Sequence, residues 1–225
     1  MNRYLLSAIL ILGLASAGCS DDDNNPATSQ TTSKVRVAHL SPDAPAVDVW
    51  VDGAKVLTNV PFKAVSNYLD VSSGMHNVKV TPAGAATPVV IDANLDLAAK
   101  TAYTVAATGL IGQNDLAPIV LVDNLTTVNG SAQVRFVHTS PDAPEVDVAV
   151  VSGPTPFDNV IFRESSGYIS VGAGTYNLSV KIAANGAEAL RVNDQALSAG
   201  ANYTIFAVGL AGNGTLTALP VVDAD

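Results

Sequence analysis

The sequence predicts an all-β protein built from two tandem antiparallel β-sandwiches, and three observations carry that expectation. Apolar and polar residues alternate with period two in short runs spaced about eight to fifteen residues apart and bounded by Gly, Pro and Asn. The chain repeats itself at an offset of about a hundred residues. No segment sustains a helical period, and each repeat is too short for many strand-helix-strand crossovers.

Of the 225 residues, 48% are hydrophobic, 14% charged and 5% aromatic, so a core can form and is drawn mainly from Val, Ala, Leu and Ile. Eleven basic against twenty acidic residues give a net charge of −9, which repels phosphate backbones and excludes nucleic acid as a partner. The single Cys rules out an intrachain disulfide, a thiolate zinc cage and a CxxC redox pair.

That Cys has its own context. Residues 1–18 carry Arg3, an apolar run from Leu5 to Leu14 and small residues leading into Cys19, which reads as a secretion signal too short to span a bilayer. Leu14-Ala15-Ser16-Ala17-Gly18-Cys19 resembles the bacterial lipobox, which implies cleavage before Cys19 and acylation, palmitate included, of that residue. Residues 19–33 follow as a polar, acidic tether that cannot build a core. Ser20 after the Cys points to the outer membrane. Asp21 to Asp23 either solvate the tether or resemble the acidic export tag of surface lipoproteins, so both the periplasmic and the outward-facing locations stay open.

The repeat places Val35–Asp52 over Val134–Val151 with twelve of eighteen positions identical. Weaker matches follow: Tyr68 over Tyr168, Tyr103 over Tyr203, Gly109-Leu110 over Gly209-Leu210 and Val122-Asp123 over Val222-Asp223. A period near one hundred is a domain length, so each copy, 34–123 and 134–225, is expected to close its own core around seven or eight strands. The joint, residues 124–133, should restrict the relative orientation of the copies without fixing it.

The strongest shared segment is His39-Leu-Ser41-Pro42-Asp43-Ala-Pro45, with Asp48 just after, and His138-Thr-Ser140-Pro141-Asp142-Ala-Pro144, with Asp147 just after. These residues resemble the N-terminal signature of the domain-of-unknown-function family 4397. The resemblance covers both copies and implies secreted or anchored bacterial domains that are sandwiches of immunoglobulin-like or prealbumin-like type, with no established activity. Physically, Ser-Pro-Asp-Ala-Pro forms a turn: each Pro fixes its own φ and keeps its predecessor extended, while Ser and Asp bond back to backbone N–H groups. If the flanking strands form a hairpin centred on Pro42, Arg36 falls opposite Asp48, and in the second copy Arg135 falls opposite Asp147.

Two sharper readings compete with the turn. His39, Ser41 and Asp43 suggest a nucleophile with its base, yet the Ser precedes a Pro that offers no N–H to an oxyanion. Asp43, Asp48 and Asp52 are carboxylates that suit Ca²⁺, yet their spacing matches no known calcium loop and Val151 stands in place of Asp52 in the second copy. Gly109-Leu-Ile-Gly112 and Gly209-Leu-Ala-Gly212 lack the Lys and helix of a phosphate cradle and read as turns before the last strand. No cofactor, resident metal or catalytic set is assigned. The expectation is a non-catalytic structural or adhesion-type binding module, held at the membrane through Cys19 and meeting a polysaccharide, an envelope protein or a host protein. The alternative is an envelope hydrolase or Ca²⁺-dependent binding protein that uses the motif loops.

Overall fold

The computed structural model describes residues 31–225. The signal, Cys19 and most of the tether lie outside the described residues.

Each copy contributes eight strands, and their alternation decides which sheet face they bury. Copy 1 comprises β1 (Thr32–His39), β2 (Val47–Val51), β3 (Ala54–Val60), β4 (Leu69–Ser72), β5 (Gly74–Pro82), β6 (Ile91–Leu97), β7 (Ala102–Thr108) and β8 (Ala117–Asp123). Copy 2 repeats them as β9 (Ser131–His138), β10 (Val146–Val150), β11 (Phe157–Val160), β12 (Ile169–Gly172), β13 (Gly174–Ile182), β14 (Glu188–Leu197), β15 (Asn202–Val208) and β16 (Thr217–Ala224). Four sheets result, ordered β4-β1-β7-β8 and β3-β2-β5-β6 in copy 1, and β12-β9-β15-β16 and β11-β10-β13-β14 in copy 2. All pairings are antiparallel except β1 with β7 and β9 with β15, which are parallel, so one sheet of each sandwich is mixed.

Each sandwich closes on its own apolar residues. Val35, Tyr103, Val105, Leu95 and Leu97 fill one end of copy 1 and Val47, Val60, Val80 and Ile91 the other. In copy 2 the core runs through Val134, Phe136, Val148, Phe157 and Ile205, with the Phe136 and Phe157 rings stacked at 6.3 Å.

The hairpin expected between β1 and β2 does not form. These strands belong to different sheets, and the Pro-rich connection carries the chain from one layer to the other as an arch. Arg36 and Asp48 are therefore never opposite one another: Asp48 holds Lys55 at 2.6 Å. The Asp147 carboxylate accepts the Asn159 N–H at 2.8 Å and is likewise apart from Arg135.

The other face of β1 explains where the arginines go. Ala38, Leu40, Ala106 and Leu121 of copy 1 form one cluster with Val137, Phe206 and Val208 of copy 2, so the two mixed sheets pack face to face. Where β8 and β16 end, Arg36 of β1 pairs with Asp223 and Arg135 of β9 pairs with Asp123, each carboxylate coming from the other copy. At the opposite end Arg163, between β11 and β12, reaches the Thr108 hydroxyl at 3.0 Å and the Asp115 carboxylate at 2.8 Å in copy 1. Like ends thus meet like ends, and the strands of the two copies run side by side in the same sense. The described chain begins at one end of this body, and both motif loops lie at the other.

Candidate functional site

The motif loop is set by its prolines and held by its Asp. Asp43 accepts the Ile111 and Gly112 N–H groups, both at 2.8 Å, and Ser41 donates to it at 3.3 Å. Asp142 does the same with Ala211 and Gly212 at 2.8 Å, while Ser140 also donates to the Gly209 carbonyl at 2.8 Å. The two segments that the sequence offers separately, Ser-Pro-Asp-Ala-Pro and Gly-Leu-x-Gly, are the halves of one clasp between the β1–β2 arch and the β7–β8 loop. A side chain would crowd the clasp, because a Cβ on Gly212 would stand 3.0 Å from the Asp142 carboxylate and one on Gly112 would stand 3.2 Å from that of Asp43. Burial works against the Asp142 charge, but the N–H donors of Gly212 and Ala211 outweigh it and hold its carboxyl below the usual range.

The histidines brace the same arch. His39 is 1% exposed and His138 fully buried; each places Nε2 against the carbonyl of a motif proline, Pro45 at 3.0 Å and Pro144 at 3.1 Å. Burial pushes both pKa values down, which makes the neutral ring with Nε2–H as donor the fitting tautomer. Phe62 and Phe162 meet these rings edge-on. The structure thus brings His39, Ser41 and Asp43 into one loop, yet it directs the His at a backbone carbonyl and the Asp at backbone amides.

Asp48 sits elsewhere, on the outer face of the second sheet. It accepts from Lys55, Asn59 N–H and Gly84 N–H, and the Lys55 bond leads in holding its carboxyl below the usual range. The Lys55 ammonium lies 4.7 Å from the Trp50 ring centre, and the indole N–H donates to Thr81 at 3.1 Å, so the lone Trp is pinned between partners. Asp43, Asp48 and Asp52 do not converge. Among the described residues no group of three or more His, Cys, Asp or Glu is placed to hold a metal ion.

A cluster that sequence reasoning missed lies at the end where the chain enters. His76 Nδ1 is 2.6 Å from Asp52, and its Nε2 is 2.8 Å from the Ser72 carbonyl and 3.3 Å from the Ser72 hydroxyl. The connectivity is that of a Ser-His-Asp relay, but the nitrogen that would act as base is committed to a carbonyl, which only a donor can satisfy. Copy 2 makes the role plain. Tyr176 stands in place of His76 and its hydroxyl donates to the equivalent carbonyl, Gly172, at 2.8 Å. The repeat could have signalled this substitution; the Asp52 contact, made across a turn, left no pattern.

These environments give opposite pH responses. The bond to Asp52 raises the His76 pKa against the effect of its burial, so its stabilisation is fully present below the ordinary value of 6.5 and is lost as pH rises through the raised value. His39 and His138 are lowered, so their contribution is present above 6.5 and is lost as pH falls. Urea midpoints across this range should therefore show His76→Tyr losing less stability than the parent on the alkaline side. A variant that tracks the parent there would refute the assignment.

Between the copies lies a polar network built around two buried carboxylates. Thr104 and Tyr68 donate to Asp123, both at 2.6 Å, and Arg135 of the other copy completes its shell. Thr204, Tyr168 and Arg36 surround Asp223 in the same way. Each guanidinium also lies over a Tyr ring of its own copy, Arg36 at 4.9 Å from that of Tyr68 and Arg135 at 4.8 Å from that of Tyr168. Burial first, and the neighbouring carboxylates with it, pushes both phenols well above their ordinary range, so they remain donors.

The family model for the domain of unknown function DUF4397 matches residues 33–149 and again 132–225. The chain belongs to this family. As a tandem DUF4397 protein it has no match among curated proteins. Solved structures similar to it include the family 26 carbohydrate-binding module CBMbc from Eubacterium rectale Amy13K, in complex with maltoheptaose (11% identity, 83% of this chain and 95% of that one, TM-score 0.26). Another is a putative polysaccharide-binding protein (DUF1812) from Bacteroides thetaiotaomicron (9%, 84% and 95%, TM-score 0.25). A third is the fimbrial anchor protein Mfa2 from Porphyromonas gingivalis (12%, 85% and 97%, TM-score 0.23).

Proposed function

We propose that this DUF4397 protein is a lipid-anchored envelope protein of the bacterial outer membrane whose paired sandwiches form a rigid, non-catalytic binding module. The observation that carries this reading is directional: the chain enters the body at one end, and both clasped motif loops stand together at the opposite end, braced by Arg163 across the copies. A tether attached through Cys19 would present those loops away from the membrane, as sandwich loops commonly serve recognition. The motif side chains that could do chemistry are spent on holding this surface, with His39 and His138 on proline carbonyls and Asp43 and Asp142 on backbone amides. A polysaccharide or another envelope or host protein is the partner class this favours.

Cys19→Ser is expected to release the protein from the membrane fraction; retention equal to the parent would sink the anchor. The chain from Ser20 onward, probed on glycan arrays and in pull-downs beside an esterase and glycosidase panel, should bind without turnover. Turnover lost in Ser41→Ala or His39→Ala would instead establish the hydrolase reading.

A further inference from the structure

The last strand of copy 1 leaves one edge of its sheet open, and its backbone groups are arranged to match themselves. In the β7–β8 ladder Ala107 lies opposite Pro118, Val105 opposite Val120 and Tyr103 opposite Val122. The Ala107 carbonyl is turned to β1's side, where it accepts the Leu40 N–H at 2.9 Å. Its partner Pro118 therefore turns away from β7, as a residue without an N–H can on an edge strand. Val120 and Val122 share that parity, which directs their N–H groups and the carbonyls of Pro118 and Val120 outward. The Val122 carbonyl also points outward, and it is already taken by the Arg135 guanidinium at 2.9 Å. The other outward groups bond to no described residue. The strand carries no charge before Asp123, and Val120 and Val122 are 44% and 61% exposed. Natural edges are normally blunted by charge or proline, and here Pro118 does so only at the start of the strand, leaving its centre open.

Copy 2 is blunted in that way. Pro220 occupies the position of Val120, removing the central donor from the β16 edge, and the Val222 carbonyl is taken by Arg36 at 3.1 Å. Copy 1 keeps the donor.

We propose that two copies of this chain pair through β8, antiparallel and centred on Val120. In that register each Val120 N–H donates to the other copy's Val120 carbonyl, and each Val122 N–H donates to the other copy's Pro118 carbonyl. The position opposite Val122 is Pro118, which has no N–H to offer, and Val122 has no free carbonyl that needs one. Shifting the register by two residues in either direction places a free group opposite an engaged or missing one. Ile119 and Leu121 alternate with these residues, so the new pairs are apolar on both faces, and the paired sheets become one continuous sheet across the two chains.

Sedimentation of the chain from Ser20 onward, which keeps every described residue, tests this. The parent is expected to rise with concentration toward twice its monomer mass. Val120→Pro places a proline where copy 2 has Pro220 and removes an N–H that makes no bond within the chain; it should stay monomeric and melt where the dilute, monomeric parent does. Val120→Cys should cross-link to a dimer under oxidation, since facing Cα atoms of such a pair lie about 5.5 Å apart, whereas Val122→Cys should not. A parent that is monomeric throughout, a Val120→Pro variant that dimerises like the parent, or equal cross-linking by both cysteine variants would overturn the proposal. Pairing with a foreign extended segment in preference to a second copy would overturn it as well.

Discussion

Asp123→Ala is expected to destabilise the protein by about 3–5 kcal/mol, the usual cost of removing one partner from a buried ion pair. The reason is what remains behind. Asp123 has a side chain with no exposure and receives Tyr68, Thr104 and the Arg135 guanidinium. Its loss leaves a buried cation and two hydroxyls without their acceptor. The pair itself contributes less than this number suggests, because both charges were stripped of solvent to form it. An Asp123→Leu, Arg135→Met double variant should accordingly recover much of the loss, and the non-additivity would measure the coupling. Urea denaturation reads both effects. A cost below about 1 kcal/mol for Asp123→Ala, the level of an exposed pair, would mean that the interface is wet or open in solution.

The second large effect is expected from Phe206→Ala, at about 3–5 kcal/mol for a buried Phe truncated to a cavity. Phe206 belongs to copy 2 and is fully buried, yet its side chain fills the cluster shared with Ala38, Leu40, Ala106 and Leu121 of copy 1. The damage should therefore cross the joint. Trp50 lies only in copy 1, so its fluorescence reports that copy alone, and its unfolding midpoint should fall although the substitution is in the other half. A Trp50 transition that stays put while the circular-dichroism transition of the whole chain moves would show two independently melting domains.

Much of this architecture is legible in the sequence, and the failures are instructive. The duplication, the alternating strands and the turn character of the motif follow from spacing and residue type. The face of β1 does not follow as easily. Arg36 invites an acidic partner, and the nearest one by hairpin arithmetic is Asp48; the structure pairs it with Asp223, 187 residues away. Proline geometry is the physical cause. Pro42 and Pro45 favour an arch between layers over a tight turn within one sheet. A signal is nevertheless present: β7 and β15, Ala-Tyr-Thr-Val-Ala-Ala-Thr and Asn-Tyr-Thr-Ile-Phe-Ala-Val, carry no charge at any position, as suits strands covered on both faces, and the structure buries every residue of both. The clasp of Asp43 on Gly112 reads in the sequence as two unrelated turns, because long-range contacts between loops leave no period. The Asp52–His76 pair was hidden for the same reason.

The reciprocal exchange of Arg36 with Asp223 and of Arg135 with Asp123 is the geometry of a two-fold homodimer written into a single chain, each patch meeting the other's counterpart. Covalent linkage changes what such a contact must achieve. A joint of this length supplies an effective concentration on the order of millimolar. An interface worth only about 4 kcal/mol between separate molecules is then already half closed within one. Selection on the contact is relaxed to that extent, while the outer sheets and loop tips of the halves are free to diverge. Trp50 facing Ala149 in the alignment and His76 facing Tyr176 are two such divergences on the outer sheets, and Val120 facing Pro220 is a third, at a sheet edge. The outcome is a single scaffold with a near-symmetric joint and two dissimilar exteriors.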